Sequence, residues 1–178
     1  MQKDVMFAGF GGQGILLMGK LLALAAMDEG REVTWVPSYG AEMRGGTANC
    51  NVVISDRPIG SPVIRNPMHL VVMNRPSLEK YAPMVRPKGV VLINSSLVTA
   101  STGREDIDEL TVPANDIAIE LGSIKSANIV ALAAFVARSQ FVDFELLREC
   151  VKYEFSKSEE LINLNMEALD RGREAAAF

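Results

Sequence analysis

The 178-residue chain is poor in the residues that most often do chemistry: it has two cysteines, one histidine and one tryptophan. Cys50 and Cys150 lie far apart and form no CxxC, and two thiols cannot supply the four ligands of a usual iron–sulfur cluster or zinc site. His69 has no second histidine or paired acid beside it in sequence, so no catalytic triad can be named. At the head of the apolar run His69–Met73 it reads as structural. Apolar stretches break off well before the roughly 20 residues a membrane span needs. Basic charge is also scarce, with 18 Lys and Arg against 22 Asp and Glu and a net charge of −4. The charges are scattered, so no face invites nucleic acid. Met1-Gln2-Lys3-Asp4 leads straight into an apolar run and glycines, which does not fit a secretory signal. The expectation is a cytoplasmic protein with no membrane or nucleic-acid partner and no metal of its own.

What is present is globular: 48% hydrophobic and 22% charged, enough for one core. Asp4–Phe10 reads as a buried strand, and Ile15–Met27, rich in Leu, Ala and Met, as a helix stopped at Gly30. Glu32–Val36 is a β-rich run ending at Pro37, and Ser38–Gly46 should be a loop. Thr47–Ser55, His69–Met73 and Val90–Asn94 read as further strands, with a short helix at Ser77–Met84. Asp116–Gly122, Ala127–Ser139, Phe144–Phe155 and Ser158–Ala175 read as helices. The expected architecture is α/β: a Rossmann-like doubly wound sheet, mostly parallel, with helices on both faces. One domain over residues 1–178 is expected, with a helical C-terminal part from about Asp143.

Gly9-Phe10-Gly11-Gly12-Gln13-Gly14 fits GxGxxG and lies between the first strand and the first helix, the context that gives the motif meaning. Backbone N–H groups and the positive end of the helix dipole favour an anion there. The acidic residue that holds a dinucleotide's ribose about 20 residues further on is missing. The second strand ends Trp35-Val36-Pro37-Ser38-Tyr39, with no carboxylate before Glu42. NAD or NADP therefore fits poorly. A ligand-free packing turn, an anion or cofactor site, and a surface for a partner subunit all remain open.

The loop around Tyr39 and Gly40 is the other informative stretch. In a doubly wound sheet it shares the carboxyl edge with the glycine turn, where ligands bind. Glu42 and Arg44 bring opposite charges there, and Gly40, Gly45 and Gly46 allow close backbone approach. Asn94-Ser95-Ser96 reaches the same edge, as ligand contacts or as loop caps. Cys50 follows the loop, as a small buried hydrophobe or as a thiol activated by a nearby cation.

GFGGQGI at Gly9–Ile15, PSYGAEMRGGTANC at Pro37–Cys50, ISDRPIGSP at Ile54–Pro62 and SANIVALAAF at Ser126–Phe135 together resemble the gamma subunits of 2-oxoacid:ferredoxin oxidoreductases. The resemblance spans most of the chain and fades after Asp143. The TANC ending is similar to the 2-oxoglutarate and branched-chain members more than to the pyruvate members. The resemblance implies a non-catalytic subunit, inactive alone, in a complex that decarboxylates a 2-oxoacid, reduces ferredoxin and passes the acyl group to coenzyme A. Thiamine diphosphate, magnesium and iron–sulfur clusters would sit on partner alpha, beta and ferredoxin-like delta subunits. A share in coenzyme A binding and in subunit assembly is expected of this chain, which would hold no cofactor tightly. The candidate binding residues are Gly9, Gly11, Gly12, Gln13, Gly14, Ser38, Tyr39, Gly40, Glu42, Arg44, Gly45, Gly46 and Asn128, the last in the small-residue helix where the family carries an asparagine. The rivals are a stand-alone NAD(P)- or flavin-binding oxidoreductase and a nucleotide-binding module.

Overall fold

A computed structural model describes residues 1–39 and 46–177. Short apolar runs form the strands β1 (Gln2–Phe10), β2 (Glu32–Tyr39), β3 (Thr47–Ser55), β4 (His69–Val72), β5 (Val90–Asn94) and β6 (Asp108–Val112). They make one sheet in the order β2-β3-β1-β4-β5-β6. The pairs β1–β4, β4–β5 and β5–β6 are parallel, whereas β3 is antiparallel to both β1 and β2. The sheet is thus mixed, and β3 separates the two strands that flank the first helix.

Alternation along β1 assigns its two faces. Val5 and Phe7 join one apolar cluster with the helices α1 (Ile15–Asp28), α3 (Ala114–Glu120), α4 (Ala127–Ser139), α5 (Phe144–Glu154) and α6 (Glu159–Ala175). Met6 and Ala8 join the cluster beneath α2 (Arg75–Tyr81), as a period of two requires. α4 is buried from Ala127 through Val136, which its run of small and aliphatic residues permits against both the sheet and α6. Each fully buried Leu, Ile or Phe contributes roughly 1.5–3 kcal/mol. α5 and α6 begin where side chains cap them: Asp143 accepts from the Glu145 and Leu146 N–H groups, and Ser158 from that of Leu161.

Some boundaries differ from expectation. β2 runs through Pro37 to Tyr39, so Ser38 and Tyr39 are strand rather than loop. β2 is an edge strand, where a missing N–H is tolerated. β6 carries no clear strand signal in the sequence, because Asp108-Glu109-Leu110-Thr111-Val112 is half polar. The helix expected at Ser77–Met84 starts at Arg75 and tightens into a 3₁₀ turn at Ala82–Met84. Asn74 sets its start by accepting from the Ser77 N–H at 2.9 Å.

His69 is structural. Its ring packs edge-on against Phe135 and Phe141, with centroids 5.9 and 5.6 Å away. Its Nδ1 accepts the Val90 N–H at 3.0 Å, so the proton is on Nε2. Burial, opposed by Asp4 and slightly reinforced by Lys3 and Arg86, pushes its pKa down to about 4. An unfolded histidine titrates near 6.5, so between those values the unfolded chain binds more protons and stability is lost as pH falls. This accounts for about 3 kcal/mol between pH 7 and pH 4. His69→Asn, which cannot protonate, is expected to close its stability gap to wild type by about that amount over this range in urea unfolding. A pH-independent gap would contradict it.

Candidate functional site

The glycine turn and the start of β3 meet at the carboxyl edge of β1. In register, Tyr39 pairs with Ala48, and Ala48 with Gly9. The Gly11 N–H donates to the Gly46 carbonyl at 2.9 Å. Gln13 pins the turn on its other side: its Oε1 accepts from the Phe10 N–H at 2.7 Å and its Nε2 donates to the Met73 carbonyl at 3.0 Å. The turn is therefore locked to β3 and β4 together.

This changes the roles within the turn. Gly9 is a strand residue whose Cβ would crowd Gln13 and Ile15, each 2.6 Å away, so it serves packing. The Gly11 N–H is already spent on Gly46, which removes it from any phosphate cradle. Gly12 takes φ +96° and faces open space, and its N–H has no acceptor among the described residues. Gly14, at φ +73°, caps α1 and abuts Asn128 of α4. α1 has no side-chain cap and no acid in its first turn. Its first N–H groups, on Ile15, Leu16 and Leu17, find no acceptor among the described residues, the arrangement that receives anions.

Two chambers flank the turn and share Gly12. One of about 330 Å³ lies between Phe10, Gly12, Leu16, Leu17, Gly46 and Ala48. The other, about 180 Å³, opens toward β4 and the start of α4. Among the described residues no acidic side chain lines either. Larger clefts exist, of about 480 and 510 Å³. In the one of about 480 Å³ near α5, Glu29 and Arg31 pair with each other at 3.1 Å and bind backbone at its wall. That is a clasp for the C-terminal helices, not a receptor.

Ser38 is exposed at the end of β2, on the row of Asn49 and Ala8. Asn128 is buried, donating to the Gly14 carbonyl at 3.4 Å. Gly40, Glu42, Arg44 and Gly45 lie outside the described residues. Asn94 and Ser96 cap α3, accepting from the Ala114 and Asp116 N–H groups at 3.1 Å each. Burial pushes the Cys50 thiol up to about 12 and the Cys150 thiol to about 11, so neither is a nucleophile at neutral pH. Among the described residues no group of His, Cys, Asp and Glu is placed to hold a metal ion, and no helix is long and apolar enough to cross a membrane. Leu16, Leu17, Asn115 and Lys125 also line the two chambers and are not among the residues the sequence singles out. Only Lys125, directly before Ser126-Ala127-Asn128, carried a usable signal.

A family model described as pyruvate ferredoxin/flavodoxin oxidoreductase matches residues 4–175. The chain belongs to this family. Among oxidoreductase relatives, it is 42% identical over 173 residues to the ketoisovalerate oxidoreductase subunit VorA of Methanothermobacter thermautotrophicus, covering 97% of this chain. The chain spans only 36% of the length of that relative. A solved keto/oxoacid ferredoxin oxidoreductase gamma subunit from Geobacter sulfurreducens superposes with a TM-score of 0.89 at 30% identity, over 99% of this chain and 97% of that one. The 2-oxoglutarate:ferredoxin oxidoreductase of Magnetococcus marinus, solved with 2-oxoglutarate, coenzyme A and succinyl-CoA bound, matches 99% of this chain and 31% of its own at 25% identity and a TM-score of 0.91.

Proposed function

We propose that this chain is the gamma subunit of a cytoplasmic 2-oxoacid:ferredoxin oxidoreductase and that its glycine-turn rim receives part of coenzyme A. The observation that carries the binding claim is the rim itself: among the described residues, Gly12 and the first turn of α1 carry N–H groups without acceptors, nothing lies close to Gly12, and no carboxylate lines either chamber. Such a surface stabilises a phosphate through backbone donors and the helix dipole. The larger chamber, walled by Phe10, Leu16 and Leu17, suits the less polar remainder of the ligand. Gly12, Gly14, Gly46 and Asn128, which line the two chambers, are the binding residues this reading assigns, with Ser38 and Tyr39 at the end of β2.

The chain contributes binding and orientation. Thiamine diphosphate with magnesium and the iron–sulfur clusters belong to alpha, beta and ferredoxin-like delta partners, and ferredoxin takes the electrons. In the longer VorA relative the matched region is continuous with other sequence, whereas the Geobacter gamma subunit is nearly the length of this chain. That supports a domain which works against a larger neighbour. The substrate class is a branched-chain 2-oxoacid or 2-oxoglutarate, as the VorA and Magnetococcus relatives have it.

The stand-alone dinucleotide reading fares worse. In that fold the second strand lies beside the first and ends near a ribose-binding acid. Here β3 fills that place, and its leading residues Thr47 and Ala48 wall the chamber. Purification at natural abundance is expected to bring down larger chains carrying thiamine diphosphate and iron–sulfur clusters. A lone chain that tightly binds NAD(P) or flavin would contradict the proposal.

A further inference from the structure

The ISDRPIGSP motif, residues 54–62, has no part in the glycine-turn rim. β3 starts at the carboxyl edge of β1, where Thr47 pairs with Phe10, and ends at the amino edge, where Ser55 pairs with Gln2. The length of that strand sets the motif roughly 25 Å from the rim. β3 and β4 flank β1 on either side, a gap of roughly 10–15 Å that about five residues would cross. The connection instead runs through residues 56–68 without helix or strand. Connections of that length inside a compact domain usually have a function of their own.

The two ends of this connection are fastened and its middle is not. Asp56 pairs with the Met1 amine, and with Arg31 at 3.5 Å. The Pro67 carbonyl accepts the Arg86 N–H at 2.9 Å, and the Met68 N–H donates to Asp4 Oδ1 at 2.7 Å. Among the described residues, residues 57–66 make no hydrogen bond to the rest of the chain beyond that of the Arg57 N–H to Ser55. Pro58 and Pro62 fix φ along the stretch and leave fewer N–H groups to satisfy. Its apolar side chains do not serve the core. Val63 is 72% exposed, and neither apolar cluster includes Ile59, Val63 or Ile64. Arg57 and Arg65 stand exposed on either side of them and join no ion pair among the described residues. The acids at the two ends are already engaged, Asp56 as above and Asp4 by Arg86.

We infer that residues 57–66 form a docking arm that seats in an apolar groove, rimmed by carboxylates, on a larger subunit of the oxidoreductase complex. The inference rests on this chain being a gamma subunit and goes beyond it by naming an element that holds the chain in the assembly. Ile59, Val63 and Ile64 supply the apolar contact, and Arg57 and Arg65 supply the charge that selects an acidic rim. Prolines already restrict the arm, so less entropy is lost when it is seated. A second copy of this chain suits the arm less well, because a two-fold contact through it sets the arginines of one copy against those of the other. The arm and the glycine turn lie at opposite edges of the sheet, so docking leaves the rim open to a ligand.

The test uses the complex assembled with wild-type chain, with Val63→Asp, or with Arg57→Glu and Arg65→Glu together. Native mass spectrometry over a dilution series reads the concentration at which this chain leaves. Val63→Asp is expected to raise that concentration about 30-fold. The double variant is expected to raise it about tenfold at low salt, with the difference fading near 1 M salt. The Tm of each variant chain stays within about 2 °C of wild type, since these side chains lie outside the core. In the assembled complex, Val63→Cys carrying a thiol-linked benzophenone is expected to cross-link to a segment of a larger subunit that contains Asp or Glu. Release within twofold of wild type for either charged variant overturns the inference, as does a cross-link to a second copy of this chain or none at all. In those cases the intact complex leaves the gamma-subunit reading standing. Wild-type chain that purifies without any larger subunit sinks that reading, and the arm with it.

Discussion

Gly14→Val is expected to cost about 4 kcal/mol of stability and lower Tm by roughly 10 °C, a large effect for one residue at the edge of a sheet. Two independent costs add. Gly14 sits at φ +73°, in the left-handed region that β-branched residues rarely adopt, a penalty of about 1–3 kcal/mol. Its added Cβ would also overlap the Asn128 carboxamide, with Cγ 2.7 Å away. Asn128 is only 4% exposed, so it cannot swing aside without disturbing α4, and such overpacking costs about 1–3 kcal/mol. Thermal unfolding of Gly14→Val is compared with that of Gly14→Ala, whose Cβ already brings both costs, so the difference reads what the rest of the valine side chain adds. A Tm within about 2 °C of wild type would mean that α1 and α4 do not meet here as described.

Gly12 separates function from stability. A side chain there meets nothing within 4 Å among the described residues, so the fold survives, although φ +96° costs any replacement about 1–2 kcal/mol. Gly12→Asp is expected to raise KM for coenzyme A about 100-fold in the assembled complex, and the isosteric Gly12→Asn about tenfold. The two differ only in charge, so their ratio isolates repulsion between a carboxylate and a phosphate from loss of space. Equal effects would show that Gly12 borders no anion.

Much of this architecture is legible in the sequence because the signals are local. The α1 and α4 segments are long runs of helix formers, and the apolar strands Val5–Ala8 and Val90–Ile93 are bounded by turn residues. The glycine turn is legible for the same reason: a strand ends, three glycines follow, and a helix begins. What stays hidden depends on partners distant in sequence. The place of β3 between β1 and β2 is decided by pairing across the sheet, and nothing in Thr47–Ser55 states it. The Gly11–Gly46 hydrogen bond joins residues 35 positions apart and removes a donor that the motif alone offers to a ligand. The hydrogen bonds that tie Asn94 to Ala114 and Asn115 likewise join ordinary residues whose meaning comes only from contact. β6 stays hidden because half of it is polar.

The most direct test of the coenzyme role is amide hydrogen exchange of the assembled complex with and without coenzyme A, read at Gly12 and at Gly14–Leu17. Binding at this rim predicts that these amides, which have no acceptor within the described residues, slow markedly when coenzyme A is added, while those of α6 do not change. Exchange at Gly12–Leu17 that is identical with and without saturating coenzyme A would contradict it.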